Sequence, residues 1–85
     1  MNISYHRDFK KTFKKLPKQI KEKFTEKILL FENDKFNPVL NNHALKGKYS
    51  GYRSINITGD LRAIFRDDSD NAIFITVGSH SNLYR

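Results

Sequence analysis

Five side chains in the second half of the chain could move protons and hold a phosphate: His43, Asp60, Arg62, Arg66 and His80. Histidine titrates near neutral pH, so it gives or accepts a proton without extreme tuning. A carboxylate near positive charge stays ionised, and a guanidinium binds phosphate in bidentate fashion. Transfer at phosphorus needs a base for the attacking hydroxyl, an acid for the leaving oxygen and cations around the crowded centre. These parts suit cleavage of RNA by attack of a 2′-hydroxyl on its own adjacent phosphate. Each is weak alone. A loop histidine is more often merely exposed or hydrogen-bonded, and an aspartate in a Thr-Gly-Asp turn more often serves the turn. The histidines lack His-x-x-x-His spacing and a second carboxylate, so no metal site is expected. With no cysteine, thiolate nucleophiles and Cys-type zinc sites are excluded.

The stretch that must position these groups is Tyr52–Arg66. Tyr52–Ile57 and Leu61–Phe65 are rich in β-branched and aromatic residues, with Thr58-Gly59-Asp60 between them. Two such runs around a short Gly-containing break predict a hairpin. Alternation along a strand sets Asp60, Arg62 and Arg66 on one face and Leu61, Ala63 and Phe65 on the other. One face is therefore expected to carry a carboxylate beside two guanidiniums.

The rest of the chain supplies a platform. Asn2–Tyr5 reads as an edge or partner strand. Phe9, Phe13 and Leu16 form an apolar stripe between lysines, predicting a helix over about 8–16 with Asp8 near its start. Pro17 breaks it. Ile20, Phe24, Ile28 and Phe31 predict a second helix over 18–31. Loops follow over 33–51, and Asn71–Val77 is the most apolar strand, expected to sit centrally. The order β-α-α-β-β-β predicts an α+β domain spanning 1–85: an antiparallel sheet with a two-helix hairpin on one face. Nothing in the sequence covers the other face. The 85 residues carry a formal net charge of +7, which favours polyanionic or acidic partners. The N-terminus has no apolar signal segment and no run approaches a membrane span, so a soluble, cytoplasmic protein with no membrane association is expected.

Four segments carry a resemblance: His43-Ala44-Leu45-Lys46-Gly47, Gly51-Tyr52-Arg53-Ser54, Gly59-Asp60-Leu61-Arg62-Ala63-Ile64-Phe65-Arg66 and Gly78-Ser79-His80-Ser81-Asn82-Leu83-Tyr84. Together they resemble the RelE/ParE superfamily of bacterial toxins, nearest its YafQ-like branch, over essentially the whole chain. The resemblance implies a ribosome-dependent messenger-RNA endonuclease that uses no metal or cofactor. It implies a cognate antitoxin that wraps the basic domain in a hetero-oligomer, and the ribosome and mRNA as further partners. On it, Asp60 or His43 would act as base, His80 as acid, Arg62 as the transition-state cation, and Tyr84 would stack on or orient a base. Two departures stand out. Asn56 occupies a position where the branch has histidine, and can hydrogen-bond RNA but not exchange a proton. Leu61 stands where tryptophan is frequent. Arg66, Lys46 and Lys48, with Lys10, Lys11 and Lys14 of the first helix, are the expected RNA contacts from charge alone. The alternatives are a ParE-like toxin that binds DNA gyrase, which shares the fold but not the His43, Asp60 and His80 set, and a catalytically weak RNA-binding relic.

Overall fold

The computed structural model describes residues 1–84. Its elements are β1 (Asn2–Tyr5), α1 (Arg7–Lys14), α2 (Lys18–Asn33), β2 (His43–Ala44), β3 (Arg53–Asn56), β4 (Leu61–Asp68), β5 (Asn71–Ser79) and α3 (His80–Leu83), with short 3-10 turns at Pro38–Leu40 and Gly47–Tyr49. The α+β class and the two-helix layer agree with the sequence pattern. Pro17 does separate the helices, as the residue before the first turn of α2. Asp8 lies in the first turn of α1, near the start as expected, and His6 caps the helix, its Nδ1 accepting the Asp8 amide N–H at 3.1 Å.

The sheet runs β1-β5-β4-β3-β2. It is mixed rather than wholly antiparallel, because β1 pairs in parallel with β5 from Asn2↔Asn71 to Tyr5↔Phe74. The helical hairpin between β1 and the later strands acts as a crossover connection, which lets two strands run the same way. The middle strand is β4, with β5 interior beside it. A two-residue strand, β2, also appears where a loop was expected, through the pairs His43↔Ser54 and Ala44↔Arg53.

The two faces of the sheet differ. On the helix side, Phe9, Phe24 and Phe31 pack against Phe65 and Phe74, with Phe31–Phe65 and Phe65–Phe74 ring centroids both 5.1 Å apart. Offset and edge-on ring pairs of this kind add to the burial that drives folding. The ion pair Lys35 Nζ–Asp67 Oδ2, 3.0 Å, ties the loop after α2 to β4 on this side. Among the described residues no helix is long and apolar enough to cross a membrane.

The second face was expected to be open, and is not entirely so: Ser54 and Ile64 on it are fully buried. Partners across a ladder share a face, so this side is built in rows. Asn56, Arg62 and Gly78 form one row, His43, Ser54, Ile64 and Thr76 the next, and Arg66 with Ile73 a third. Between the last two rows the β4–β5 register skips, from Ile64↔Thr76 to Phe65↔Phe74, leaving Ile75 as a bulge. The Gly47–Tyr49 turn and α3 fold over the middle of this face. Tyr49 meets Tyr52 and Tyr84 edge-on at 6.5 and 6.1 Å, and a Cβ built on Gly78 would lie 3.3 Å from Leu83 Cδ2.

Candidate functional site

The site is assembled at the end of the sheet where the β3–β4 turn meets the start of α3. The turn is organised by its own polar groups. Thr58 Oγ1 accepts the Leu61 amide N–H at 3.0 Å and the Asp60 amide N–H at 3.3 Å. From β4, Arg62 Nη1 donates to the carbonyls of Thr58 and Gly59 at 3.1 Å each, and of Leu61 at 3.3 Å. One nitrogen of the guanidinium thus staples the turn, leaving Nε and Nη2 outside this set of contacts.

The second half of the site is the C-terminal turn. Ser79 caps α3, its Oγ accepting the Asn82 amide N–H at 3.2 Å, and the buried Leu83 anchors it over Gly78. The His80 amide N–H donates to the Asp60 carbonyl at 3.0 Å. A single backbone hydrogen bond therefore joins the two residues, and both are exposed. Tyr84 folds back on His80 with ring centroids 4.7 Å apart, while its amide N–H donates to the His80 carbonyl at 3.1 Å.

Asp60, Arg62, His80 and Tyr84 are thus brought together, with Asn56 beside Arg62 in the β3–β4 ladder. His43 is on the same face but on the edge strand β2, opposite Ser54. Its Nδ1 lies 2.8 Å from the Asn41 carbonyl. Nδ1 must donate in that pair, which leaves Nε2 of the neutral ring as an acceptor. Arg66 is not beside Asp60. It lies four residues along β4 from Arg62, about 13 Å at strand rise, so of the two guanidiniums expected beside the carboxylate only Arg62 is near it. No ion pair joins Asp60 to Arg62 among the described residues, and Nη1 of the guanidinium is held by the turn carbonyls.

The lysines divide in the same way. Lys46 and Lys48 are exposed around the Gly47–Tyr49 turn on the site's face, with Lys48 Nζ 5.2 Å from the Tyr49 ring centre. Lys10, Lys11 and Lys14 are on α1, across the sheet. There Lys10 and Lys14 rim an apolar groove of about 500 Å³ between the helices, floored by Tyr5, Phe13 and Phe24. Burial, and then the Glu32 carboxylate, pushes the Tyr5 phenol above its ordinary 10.0.

Sequence reasoning missed Tyr49, Tyr52 and Ser54. One of the three, Tyr49, carried a signal: an aromatic ring in a glycine- and lysine-rich loop with no helical or strand period to bury it. Ser54 Oγ, Asn56 Oδ1 and Tyr84 OH are buried without a hydrogen-bond partner. Each such atom costs about 1–3 kcal/mol, so this face carries three hydrogen-bonding groups that no protein group satisfies. Among the described residues no group of three or more His, Asp or Glu side chains is arranged to hold a metal ion.

This five-stranded α+β arrangement is that of the RelE/YoeB-type toxins. The structure of YafQ from E. coli strain BL21(DE3) matches with a TM-score of 0.83 at 23% identity, over 99% of this chain and 98% of that one. A YoeB/ParE toxin from Agrobacterium tumefaciens matches with a TM-score of 0.76 at 21% identity, over 94% and 99%. The E. coli DinJ–YafQ toxin–antitoxin complex matches with a TM-score of 0.80 at 24% identity, over 99% and 97%. Identities this low establish the fold alone. No curated protein sequence matches the chain. The family is established by sequence: the model for YafQ, bacterial toxin of type II toxin–antitoxin systems, matches residues 1–85, and the chain belongs to that family.

Proposed function

We propose that the protein is a ribosome-dependent endoribonuclease that cuts messenger RNA and is held inactive by an antitoxin. The observation that carries this reading is the hydrogen bond from the His80 amide to the Asp60 carbonyl, 3.0 Å, which joins the backbones of an imidazole-bearing and a carboxylate-bearing residue at the Arg62-stapled turn. Asp60 is the base that takes the proton of the 2′-hydroxyl as its oxygen attacks phosphorus. His80, in its imidazolium form, gives a proton to the departing 5′-oxygen, leaving a 2′,3′-cyclic phosphate and a free 5′-hydroxyl. Arg62, through the nitrogens not bound to the turn, stabilises the charge that builds on the phosphoryl oxygens. Tyr84 orients His80 through ring contact. Asn56 meets the ribose or phosphate, and His43, on the sheet edge, contacts RNA or serves as an alternative base. No metal or cofactor takes part.

Few groups converge here, so the ribosome supplies much of the orientation of the message. Lys46 and Lys48 contact RNA near the site, and Lys10, Lys11 and Lys14 contact ribosomal RNA on the far side. An antitoxin partner is proposed by analogy with the E. coli DinJ–YafQ toxin–antitoxin complex; the net charge of +7 suits an acidic or amphipathic segment of it, and the pair is a cytoplasmic hetero-oligomer.

The test is to map messenger 5′ ends in cells within minutes of induction, for the protein and for His80→Ala. New ends at in-frame codon positions, absent from the variant, are expected. Arrested growth without new ends would point instead to a toxin that acts by binding, as on gyrase. No effect on growth or RNA would leave a relic.

A further inference from the structure

Beyond the chemical site, the second face has another concave feature. A pocket of about 220 Å³ is lined by His6, Tyr52, Arg66, Ile73 and Ile75. It arises from the row Arg66↔Ile73 and the bulge at Ile75, which adds a second isoleucine beside the first. Tyr52 precedes β3 at the position that extends this row, since Arg53 pairs with Phe65. His6 enters from the end of β1. Because its Nδ1 accepts the Asp8 amide N–H at 3.1 Å, its neutral ring carries the proton on Nε2. The pocket therefore has an aliphatic floor, one phenol ring and two donors, a guanidinium and an imidazole N–H. The neighbouring Asp67 does not neutralise Arg66, being paired with Lys35 on the opposite side of the sheet.

We propose that this pocket is a second nucleotide subsite for the messenger RNA, a few nucleotides from the scissile phosphate. This rests on the reading of the face as RNA-cutting. A base or ribose packs on Tyr52, Ile73 and Ile75, and its phosphate takes the Arg66 guanidinium and the His6 Nε2–H. Single-stranded RNA is favoured over an acidic peptide because the pocket shares a strand and a face with Arg62, so one chain can reach both. Its role is to fix the message against the Asp60–His80 pair, which has few contacts of its own to define register.

Arg66 is exposed, so Arg66→Ala and Arg66→Lys should fold, as thermal unfolding will check. Tyr52→Phe keeps the ring that Tyr52→Ala removes. The assay is initial-rate cutting of a defined message on programmed ribosomes, with the message full length or shortened on either side of the cut codon. Loss of one charge-assisted contact or one stacking ring predicts a rise of about tenfold in KM with kcat nearly unchanged for Arg66→Ala and Tyr52→Ala. Tyr52→Phe should restore most of the loss. Shortening the message on one side should cost the intact protein a similar factor and cost the variants little more. The proposal is overturned if either alanine variant cuts the full-length message with an unaltered KM. It is overturned equally if the losses add to both truncations, which would put Arg66 against ribosomal RNA or protein. If the intact protein cuts no message, the endonuclease reading fails and takes the subsite with it.

Discussion

Leu83→Ala separates the positioning of His80 from its chemistry. Leu83 is only 7% exposed and packs over Gly78, while His80, Ser81 and Asn82 of α3 are exposed. Removing a nearly buried leucine side chain costs about 3 kcal/mol. A four-residue turn at the end of the described chain opens by itself more readily than the sheet does. The loss should therefore appear as local undocking, lowering the ratio of docked to undocked turn by about a hundredfold at 1.4 kcal/mol per factor of ten. Amide exchange at His80 and Tyr84, whose N–H groups bond the Asp60 and His80 carbonyls, should accelerate by a similar factor. Messenger cutting on ribosomes should fall although every proposed proton-transfer group is intact, and the midpoint of global unfolding should move by only a few degrees. Unchanged protection at His80 with unchanged cutting would refute the anchoring role. A full 3 kcal/mol loss of global stability with the turn still docked would show that α3 belongs to the core instead.

Three further outcomes follow from the geometry. Arg62→Lys can bond the turn or a phosphate but not both, so cutting should drop by a hundredfold or more. Thermal stability should fall by about 1 kcal/mol, and near-normal cutting would remove Arg62 from the phosphoryl centre. Phe24→Ala, at a side chain 5% exposed among Phe9, Phe13 and Phe74, should cost about 3–5 kcal/mol in urea unfolding, close to the whole stability of a small domain. The Tyr5 phenol is raised above 10.0, by burial first and Glu32 second. Its contribution is fully present below pH 10 and lost as pH rises through the folded value, so Tyr5→Phe should flatten that alkaline limb of stability.

The helices and the β3–β4 hairpin were legible because their periods are long and their breaks chemical: Pro17 between two apolar stripes, Gly59 between two β-branched runs. The parallel pairing of β1 was not, since alternation in Asn2–Tyr5 gives a strand but not its direction, which the crossover decides. Nor was β2, as two residues hold no period. At the site, the types of His43, Asp60, Arg62, Arg66 and His80 could be read, but not their grouping. Sharing a face says nothing about separation along it, and four residues of strand part Arg66 from Arg62. That His80 meets Asp60 depends on a backbone hydrogen bond between distant segments, for which no side-chain pattern exists.

The parallel pair β1–β5 also sets an order of events during synthesis. Chains emerge from the N-terminus, yet the first strand has no neighbour until β5 has been made, because β5 is the strand it pairs with. Before then the aromatic faces of α1 and α2 lack Phe74 to pack on, and Asp60 and His80 have not met. A half-made copy is thus a basic chain with apolar helix faces uncovered. The packed core and the Asp60–His80 contact arrive together, with the last strand.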